Sequence, residues 1–186
     1  MVTSNELTQS EVAILSLLSE GEQHGYGLNE AIEQRGFRNW TNIGFSSIYW
    51  ILNRMEKAKF IASRKDPSKK GPERKLYRLT PKGQSALLDS IRSSISIPEH
   101  VRTRVDLGAA YVGLLPREEA IRCFETYRKT MQKRIDGIAA ARKAQEPLPF
   151  GAQIIFDHGA IKGKAELEWV DQVLDRLKQQ RENEQE

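Results

Sequence analysis

Cysteine is nearly absent from the sequence: Cys123 is the single one among 186 residues. A lone cysteine cannot close a disulfide within the chain, and such chains are typical of reducing compartments, so we expect a cytoplasmic protein. Ile121 and Phe124 flank the cysteine in an apolar stretch with helical spacing. This setting predicts a buried, inert thiol rather than a redox sensor.

Long apolar runs are also absent. The uninterrupted apolar stretches are only a few residues long, whereas a helix that crosses a bilayer needs about 20 apolar residues. No cationic segment followed by an apolar block opens the chain, so we expect no secretory signal. The sequence therefore predicts a protein that has no membrane partner.

The residue groupings that carry out catalysis or hold cofactors are missing as well. The histidines, His24, His100 and His158, lie far apart and have no companion cysteines or clustered carboxylates, which argues against a metal site. The sequence contains no nucleophile elbow, phosphate-binding loop or pair of catalytic carboxylates. We therefore expect a protein that is not an enzyme and uses no cofactor.

The sequence does have a local excess of positive charge. The net charge of the whole chain is only +4. Between Arg54 and Lys82, however, eleven lysines and arginines face three acidic residues, which gives +8 for this window and −4 for the rest. Such an excess is expected on a surface that binds a polyanion such as nucleic acid. The alternative is an ordinary solvated surface.

Apolar residues recur at helical spacing in three N-terminal segments. Residues 7–19 form the first predicted helix, with Thr8 or Ser10 as its cap, and residues 24–36 form the second. Residues 45–60 form the third. The residues that we expect in the core from the second and third helices are Tyr26, Leu28, Ala31, Ile32, Ile48, Ile51, Leu52 and Met55.

Residues 60–79 are predicted to form a β-hairpin, because two segments of alternating apolar and polar residues flank a loop rich in proline, glycine and lysine. Thr80 then caps a fourth helix, and Pro81 occupies its first position. Three helices, a hairpin and a further helix make up a winged helix-turn-helix domain. In such a domain the third helix enters the major groove of DNA, and the hairpin tip reaches the flanking backbone or minor groove.

The C-terminal half follows a polar joint at residues 93–100 and is helical. One helix starts at Pro116, a segment containing proline and glycine at 146–151 interrupts the pattern, and a last helix follows. We therefore expect four parts in the chain. They are a DNA-binding domain (1–92), a linker with a connecting helix (93–115), a helical dimerisation domain (116–180) and a polar tail (181–186).

Two long helices joined by a short turn form an antiparallel pair, and its apolar stripe needs another layer of structure. We expect a second copy of the chain to supply that layer, rather than the N-terminal domain alone. The predicted dimerisation residues are Ile121, Phe124, Met131, Ile135, Leu167, Val170, Leu174 and Leu177. The predicted fold class is therefore mostly α with a small β-hairpin.

The candidate DNA-binding residues lie near the start of the second helix, on the outer side of the third helix and around the hairpin tip. They are Tyr26, Asn29, Ser46, Ser47, Tyr49, Trp50, Arg54, Lys69, Lys70, Arg74 and Lys75.

Each candidate has an alternative role. The two tyrosines suit the core as well as a surface, and Trp50 suits packing against Trp40. Arg54 suits an ion pair with Glu56 or with the second helix. The hairpin cations suit an ordinary solvated surface.

Four segments resemble the PadR family of bacterial winged-helix transcriptional regulators, in its branch with a long helical C-terminal domain. They are HGYGLNEAI (24–32), SSIYWILNRMEKAKFI (46–61), GPERKLYRLTPKG (71–83) and, more loosely, AELEWVDQVLDRL (165–177). The chain departs from the family pattern at two places. Gly44 and Phe45 stand where the family has Ser-Pro, and Lys59 stands where it favours glycine. Lys59 therefore predicts either a left-handed residue or a different turn.

The resemblance implies a homodimer that binds an inverted-repeat operator and represses a nearby gene. It also implies a small aromatic or lipophilic effector that binds in a cavity between the two domains and so releases the DNA. Four aromatic residues are candidates for lining such a cavity, with ordinary packing as the alternative: Trp40, Phe45, Trp50 and Trp169. A competing hypothesis for the whole chain is a winged-helix module that binds proteins and has no sequence-specific DNA binding.

Overall fold

The computed structural model describes residues 7–39, 41, 43–44, 47–66 and 74–183. The chain divides into two compact units, Met1–His100 and Val101–Glu186. The described part of the chain is mostly helical and contains one small antiparallel sheet, which confirms the predicted fold class.

The N-terminal unit has the predicted order of three helices, a hairpin and a further helix. Its elements are α1 (Gln9–Ser19), β1 (Gln23–His24), α2 (Gly25–Gln34), α3 (Ser47–Lys57), β2 (Ile61–Lys65), β3 (Lys75–Leu79) and α4 (Pro81–Ser96), with a 3-10 turn at Phe37–Asn39. α4 continues through Ser96 and so includes the start of the polar joint that we expected at residues 93–100.

The sheet has three strands rather than the two expected from the sequence. Its order is β1-β3-β2, and both pairings are antiparallel. Gln23 lies opposite Tyr77 and His24 opposite Leu76, so β1 adds an outer strand to the hairpin. The prediction that His24 begins the second helix was wrong, because this residue pairs with β3 and α2 begins at Gly25.

The core of the N-terminal unit is formed by the inward faces of α1, α2 and α3, which meet the sheet and α4. The predicted stripe of α3 is buried, and Leu28 and Ile32 of α2 lie with it. Thr8 caps α1 and forms a capping box with Glu11, so one of the two expected caps is confirmed.

The end of α3 requires a left-handed residue. The amide of Phe60 donates to the carbonyl of Met55, and the amide of Lys59 donates to that of Glu56, each at 3.0 Å. This pair of hydrogen bonds is a Schellman motif, whose residue after the helix is usually glycine. Lys59 occupies that position with φ +62°, so the left-handed alternative is the one that the chain adopts.

α4 begins directly against the backbone that follows α3. Both the amide and the hydroxyl of Thr80 donate to the carbonyl of Phe60, at 3.1 and 2.9 Å. Thr80 also caps α4 by accepting from the amide of Gly83. A Cβ atom at Gly83 would lie 2.0 Å from the Phe60 carbonyl oxygen, so only glycine permits this approach.

The C-terminal unit consists of α5 (Arg104–Ala110), a 3-10 turn at Val112–Leu114, α6 (Arg117–Ala144) and α7 (Phe150–Asn183). α6 and α7 form the expected antiparallel pair, because contacts run in opposite directions along them. The hydroxyl of Tyr127 donates to Glu166 at 2.7 Å, and Arg142 pairs with Asp157.

The two long helices approach each other closely where α7 carries glycines. A Cβ at Gly163 would lie 2.8 Å from Ile135, and one at Gly159 would lie 3.4 Å from Ile138. At the other end of the pair Trp169 packs edge-on against Phe124, with ring centroids 5.9 Å apart.

The prediction of a buried Cys123 was wrong, because this side chain is exposed. α6 advances about 100° per residue, so Ile121 and Phe124 share the face that meets α7, whereas Cys123 lies on the opposite side. Its apolar neighbours indicated an amphipathic helix but not the face on which the thiol lies.

Replacing Gly83 with alanine tests the close approach of α4. We expect Gly83→Ala to lower the free energy of unfolding by about 3 kcal/mol, because the added methyl group meets backbone atoms. The matched control is Gly137→Ala in the middle of α6, where nothing lies within 4 Å of the added Cβ. This control should raise stability by about 0.5–1 kcal/mol. Urea unfolding of both variants would check the contrast, and equal stabilities would contradict it.

Candidate nucleic-acid interface

The outer face of α3 carries large side chains that the core does not take up. Ile48, Leu52 and Met55 are fully buried, whereas Tyr49 is 50% exposed and Trp50 is 61% exposed. Charged and polar side chains adjoin these rings on the same helix. A half-exposed aromatic face beside cations is able to contact bases and phosphates of a duplex.

The start of α2 packs tightly against this face. A Cβ at Gly25 would lie 2.8 Å from Cε1 of Tyr49, so the tyrosine ring lies directly on the α2 backbone. Tyr49 therefore has one packed side and one exposed side. Of the two roles considered for Tyr26, the structure excludes the core, because its side chain is 59% exposed. At the start of α2 it lies on the turn that points outward, and it remains a candidate DNA contact.

Arg38 organises the connection between α2 and α3, a role that the sequence analysis missed. Its guanidinium donates to Glu33 at 2.6 Å, to the carbonyl of Ile43 at 2.7 Å and to Oδ1 of Asn29 at 3.2 Å. Asn29 thus already has a partner within the chain. The signal for this role was weak, since one arginine in a polar loop predicts no particular partner.

The first described turn of α3 is held by Gly44. Both the amide and the hydroxyl of Ser47 donate to its carbonyl, at 3.2 and 2.7 Å. The helix thus forms although glycine stands where the family has serine. Ser46 and Phe45 lie outside the described residues.

The guanidinium group of Arg54 has two partners, a carboxylate and an aromatic ring. Its Nη2 lies 2.7 Å from Oε1 of Glu11, and its Cζ lies 5.0 Å from the centroid of the Trp50 ring. The ion pair that we considered for Arg54 exists, but its partner belongs to α1 rather than being Glu56 or a residue of α2.

Glu11 is 4% exposed, although it carries a charge. One carboxylate oxygen accepts from the amide and hydroxyl of Thr8, at 2.9 and 3.0 Å, and the other accepts from Arg54. Burial raises the pKa of Glu11, but the hydrogen bonds from Arg54 and Thr8 and the charge of Arg54 lower it more, so the pKa lies below its ordinary value of 4.5. The buried carboxylate is therefore ionised and fully partnered at neutral pH.

The root of the hairpin is fastened by two ion pairs and by a contact between a histidine and a carboxylate. Lys75 Nζ lies 3.1 Å from Glu56 of α3, and Arg64 lies 2.7 Å from Glu22. The pKa of Lys75 is raised, chiefly by its hydrogen bond to Glu56. The third contact joins Nε2 of His24 to Asp66 at 3.1 Å.

Of the remaining predicted hairpin contacts, the structure describes Arg74. Arg74 is exposed and directly precedes β3. Lys69 and Lys70 fall within 67–73 and so lie outside the described residues. The structure thus brings the α3 face and the hairpin root together through Glu56 and Lys75.

The predicted dimerisation residues lie along the inside of the α6–α7 pair of one chain. Ile121, Phe124, Val170 and Leu174 form its buried cluster, and Leu177 packs against them. Ile135 contacts α7 at Gly163, and Met131 and Leu167 are half-buried. Exposed apolar side chains of the same unit lie elsewhere, and they include Leu107, Tyr111, Leu114, Phe150, Ile154 and Ile161.

The N-terminal unit also contains a groove of about 910 Å³ between α1 and α4. Its apolar lining includes Val12, Phe37, Phe60 and Ala86, and serine hydroxyls of α4 lie along one side. Of the aromatic residues considered for an effector cavity, Trp50 is exposed on α3 and Trp169 packs against Phe124. Trp40 and Phe45 lie outside the described residues.

Within the residues that the structure describes, no group of three or more histidines, cysteines and carboxylates is arranged to hold a metal ion. In the same part of the chain, no helix is both long and apolar enough to cross a bilayer.

Removing the charge of Arg54 should destabilise the N-terminal unit. We expect Arg54→Met to lower the free energy of unfolding at pH 7 by about 1–3 kcal/mol, because the buried Glu11 carboxylate loses its charged partner. A carboxyl whose pKa is lowered by folding contributes stability above its unfolded pKa, and this contribution is lost as the pH falls through the folded value. The difference between the two proteins should therefore shrink below the ordinary pKa of 4.5.

Urea unfolding at neutral pH and at about pH 3.5 would measure this difference. Lys57→Met is the matched control, since it removes an exposed cation from the same helix and should change stability by less than about 0.5 kcal/mol. A constant difference across this pH range would contradict the role of the Glu11–Arg54 pair.

Comparison with known proteins agrees with this architecture. Residues 14–89 match the family described as "Transcriptional regulator PadR-like family". The chain is 26% identical over 171 residues to the negative transcriptional regulator PadR of Bacillus subtilis (strain 168), and the match covers 87% of this chain and 93% of that protein.

Crystal structures of Bacillus subtilis PadR have a similar fold. The complex with operator DNA has a TM-score of 0.75 at 24% identity and covers 91% of this chain and 99% of that chain. The complex with p-coumaric acid has a TM-score of 0.77 at 24% identity, with coverage of 92% and 99%. The winged-helix unit is thus similar to the PadR-like family of transcriptional regulators over residues 14–89, and the longer similarity to Bacillus subtilis PadR also includes the helical unit.

Proposed function

We propose that this protein is a homodimeric repressor that binds an inverted-repeat operator through residues 1–92 and associates through residues 116–180. The observation that carries the proposal is the exposed face of α3, where Tyr49 and Trp50 adjoin Arg54 beside a cationic hairpin. The negative transcriptional regulator PadR of Bacillus subtilis, which is similar over most of its length, supports repression as the direction of control.

Charge supports duplex DNA as the partner. The window from Arg54 to Lys82 carries +8 on an otherwise negative chain. Part of this charge is neutralised from outside the window, by Glu22 at the hairpin root and by Glu11, which pairs with Arg54 of α3. The cations near the hairpin tip then supply the contacts with phosphate, and the outer face of α3 supplies the contacts with bases.

Exposed apolar side chains support self-association through the C-terminal unit. Phe150, Ile154 and Ile161 lie within about 40° of one another around α7, and each is at least half exposed. Such a stripe on a monomer suggests a protein interface. A second copy of the chain presents the same stripe and is able to cover it in a symmetric dimer.

A small aromatic or lipophilic effector fits the groove between α1 and α4. Its lining combines apolar side chains with serine hydroxyl groups, a combination that suits a small-molecule site. The structure of Bacillus subtilis PadR with p-coumaric acid supports a ligand of this class.

A protein-binding module is the second candidate, since the winged-helix fold alone does not determine the kind of partner. The lysines of the cationic window count against it, because protein interfaces are depleted in lysine. A gel shift at near-physiological salt with the DNA upstream of the protein's own gene would separate the two. Binding that is unspecific and disappears at this salt concentration would favour the protein-binding module.

Reversing the charge at Lys69 and Lys70 should weaken binding to every duplex by about the same factor. Each lost phosphate contact should reduce the slope of log K against log salt by about 0.9, because fewer counterions are released. By contrast, Trp50→Ala or Ser47→Ala should change the preference among sequences. The matched control is the double reversal Lys129→Glu/Lys133→Glu on exposed positions of α6. Unchanged duplex binding after the reversal at Lys69 and Lys70 would contradict the assigned role of the hairpin.

Placing charge on the α7 stripe should separate the dimer. We expect Phe150→Glu/Ile154→Glu to halve the mass measured by size exclusion with light scattering at micromolar concentration, because the buried charges lose their hydration. The control for this experiment is the single reversal Lys129→Glu at an exposed position of α6, which changes the net charge by the same amount and should leave the mass unchanged. An unmodified protein that is already monomeric would refute the dimer.

Filling the groove should abolish the response to effector. With p-coumaric acid as the probe, we expect release of the bound duplex from the unmodified protein and at least a tenfold weaker response from Ala86→Phe, whose ring occupies the groove. Ala140→Phe, at an exposed position of α6, is the control and should respond normally. Equal responses of the two variants would place the effector elsewhere.

A further inference from the structure

We propose that Glu11 is a positioning residue, which holds Arg54 against Trp50 so that the indole is presented to DNA in one orientation. This inference rests on the proposed function, since it concerns how the α3 face reads a duplex. It assigns Arg54 a supporting role beneath Trp50, in place of the direct DNA contact that its sequence position suggested.

The geometry leaves Arg54 little freedom to act as an independent cation. Its Nε and Nη2 lie 3.1 and 2.7 Å from Oε1 of Glu11, so one edge of the guanidinium is occupied. The Cζ atom also lies over the Trp50 ring, 5.0 Å from its centroid, so the cation covers one face of the indole. A guanidinium held in this way has its charge neutralised within the chain and acts as a flat support for an aromatic ring.

Glu11 is itself fixed. Its other oxygen accepts the amide and hydroxyl of Thr8, which anchors the carboxylate to the first turn of α1. Its side chain is almost completely excluded from solvent. A buried carboxylate with both oxygens bonded cannot change rotamer without leaving donors unpaired. The rigid core is thus connected to an exposed ring through Thr8, Glu11, Arg54 and Trp50 in turn.

Trp50 is the member of this chain of contacts that is able to meet DNA. It is the most exposed of the aromatic side chains on α3, and an exposed indole without support would sample several rotamers. Fixing one orientation in advance lowers the entropy lost on binding and makes the contact sensitive to the shape of the base edge.

The experiment compares Arg54→Ala, Arg54→Lys and Glu11→Gln. Glu11→Gln keeps an oxygen for the α1 cap but removes the charge that holds Arg54. Arg54→Lys keeps the charge of Arg54 but loses the planar group that pairs with Glu11 and stacks on Trp50 at the same time. Thermal unfolding of each variant confirms that it is folded before its binding is measured.

The first readout needs no DNA. In a Trp40→Phe/Trp169→Phe background Trp50 is the remaining tryptophan, so fluorescence reports on it alone. We expect all three substitutions to raise its acrylamide quenching constant, because the ring is released from the guanidinium. Unchanged quenching in Glu11→Gln would overturn the proposal, because substitution of Arg54 uncovers the ring whether or not Glu11 holds it.

The second readout is the salt dependence of binding to a 30-base-pair duplex of mixed sequence, about three helical turns long. A positioning role predicts weaker binding with an unchanged slope of log K against log salt, and Arg54→Lys as weak as Arg54→Ala. A phosphate contact instead predicts a slope lower by about 0.9 in Arg54→Ala and rescue by Arg54→Lys, and this result would overturn the proposal.

Reversal of Lys69 and Lys70 gives the reference for a true loss of phosphate contacts. If the unmodified protein bound no duplex, the proposed function would fail, and the quenching experiment would still decide whether Glu11 positions Trp50.

Discussion

The carbonyl group of Phe60 is where α3, the hairpin and α4 meet. It accepts two hydrogen bonds from Thr80, and Gly83 passes so close to it that no larger residue fits. Phe60 follows the end of α3, and Thr80 follows β3 directly. This one junction therefore fixes both ends of the hairpin relative to α3, and the angle between α3 and the hairpin depends on it.

The outer surface of α3 is rigid because the inner face of the helix packs in the core of the N-terminal unit. Its buried stripe sets the rotation of the helix about its own axis, which decides that Tyr49 and Trp50 point outward. Contacts from neighbouring elements then fix individual side chains. Gly25 permits Tyr49 to lie against α2, and Glu11 of α1 holds Arg54 beside the indole. Such a surface is organised before any ligand arrives, which reduces the ordering needed on binding.

The sequence predicted those features that local periodicity and capping determine, and it failed where long-range contacts decide. The helices, hairpin and antiparallel pair follow from apolar spacing and from caps such as Thr80. β1 was missed because two residues carry no period and become a strand only by pairing with β3. The partner of Arg54 lies 43 residues away, so no local pattern indicates it. Periodicity also marked the apolar face containing Phe124 without showing that α7 of the same chain covers it.

The left-handed backbone of Lys59 has a consequence for how this scaffold tolerates change. Such a conformation costs a residue with a side chain about 1–2 kcal/mol, and glycine would relieve most of it. The chain instead has the cation Lys59 at this position, just before the hairpin begins. At this position, a residue that raises thermal stability would therefore lower the long-range attraction for a polyanion. Variants selected for heat resistance are expected to replace Lys59 with glycine. They would then carry one positive charge less and associate with nucleic acid more slowly.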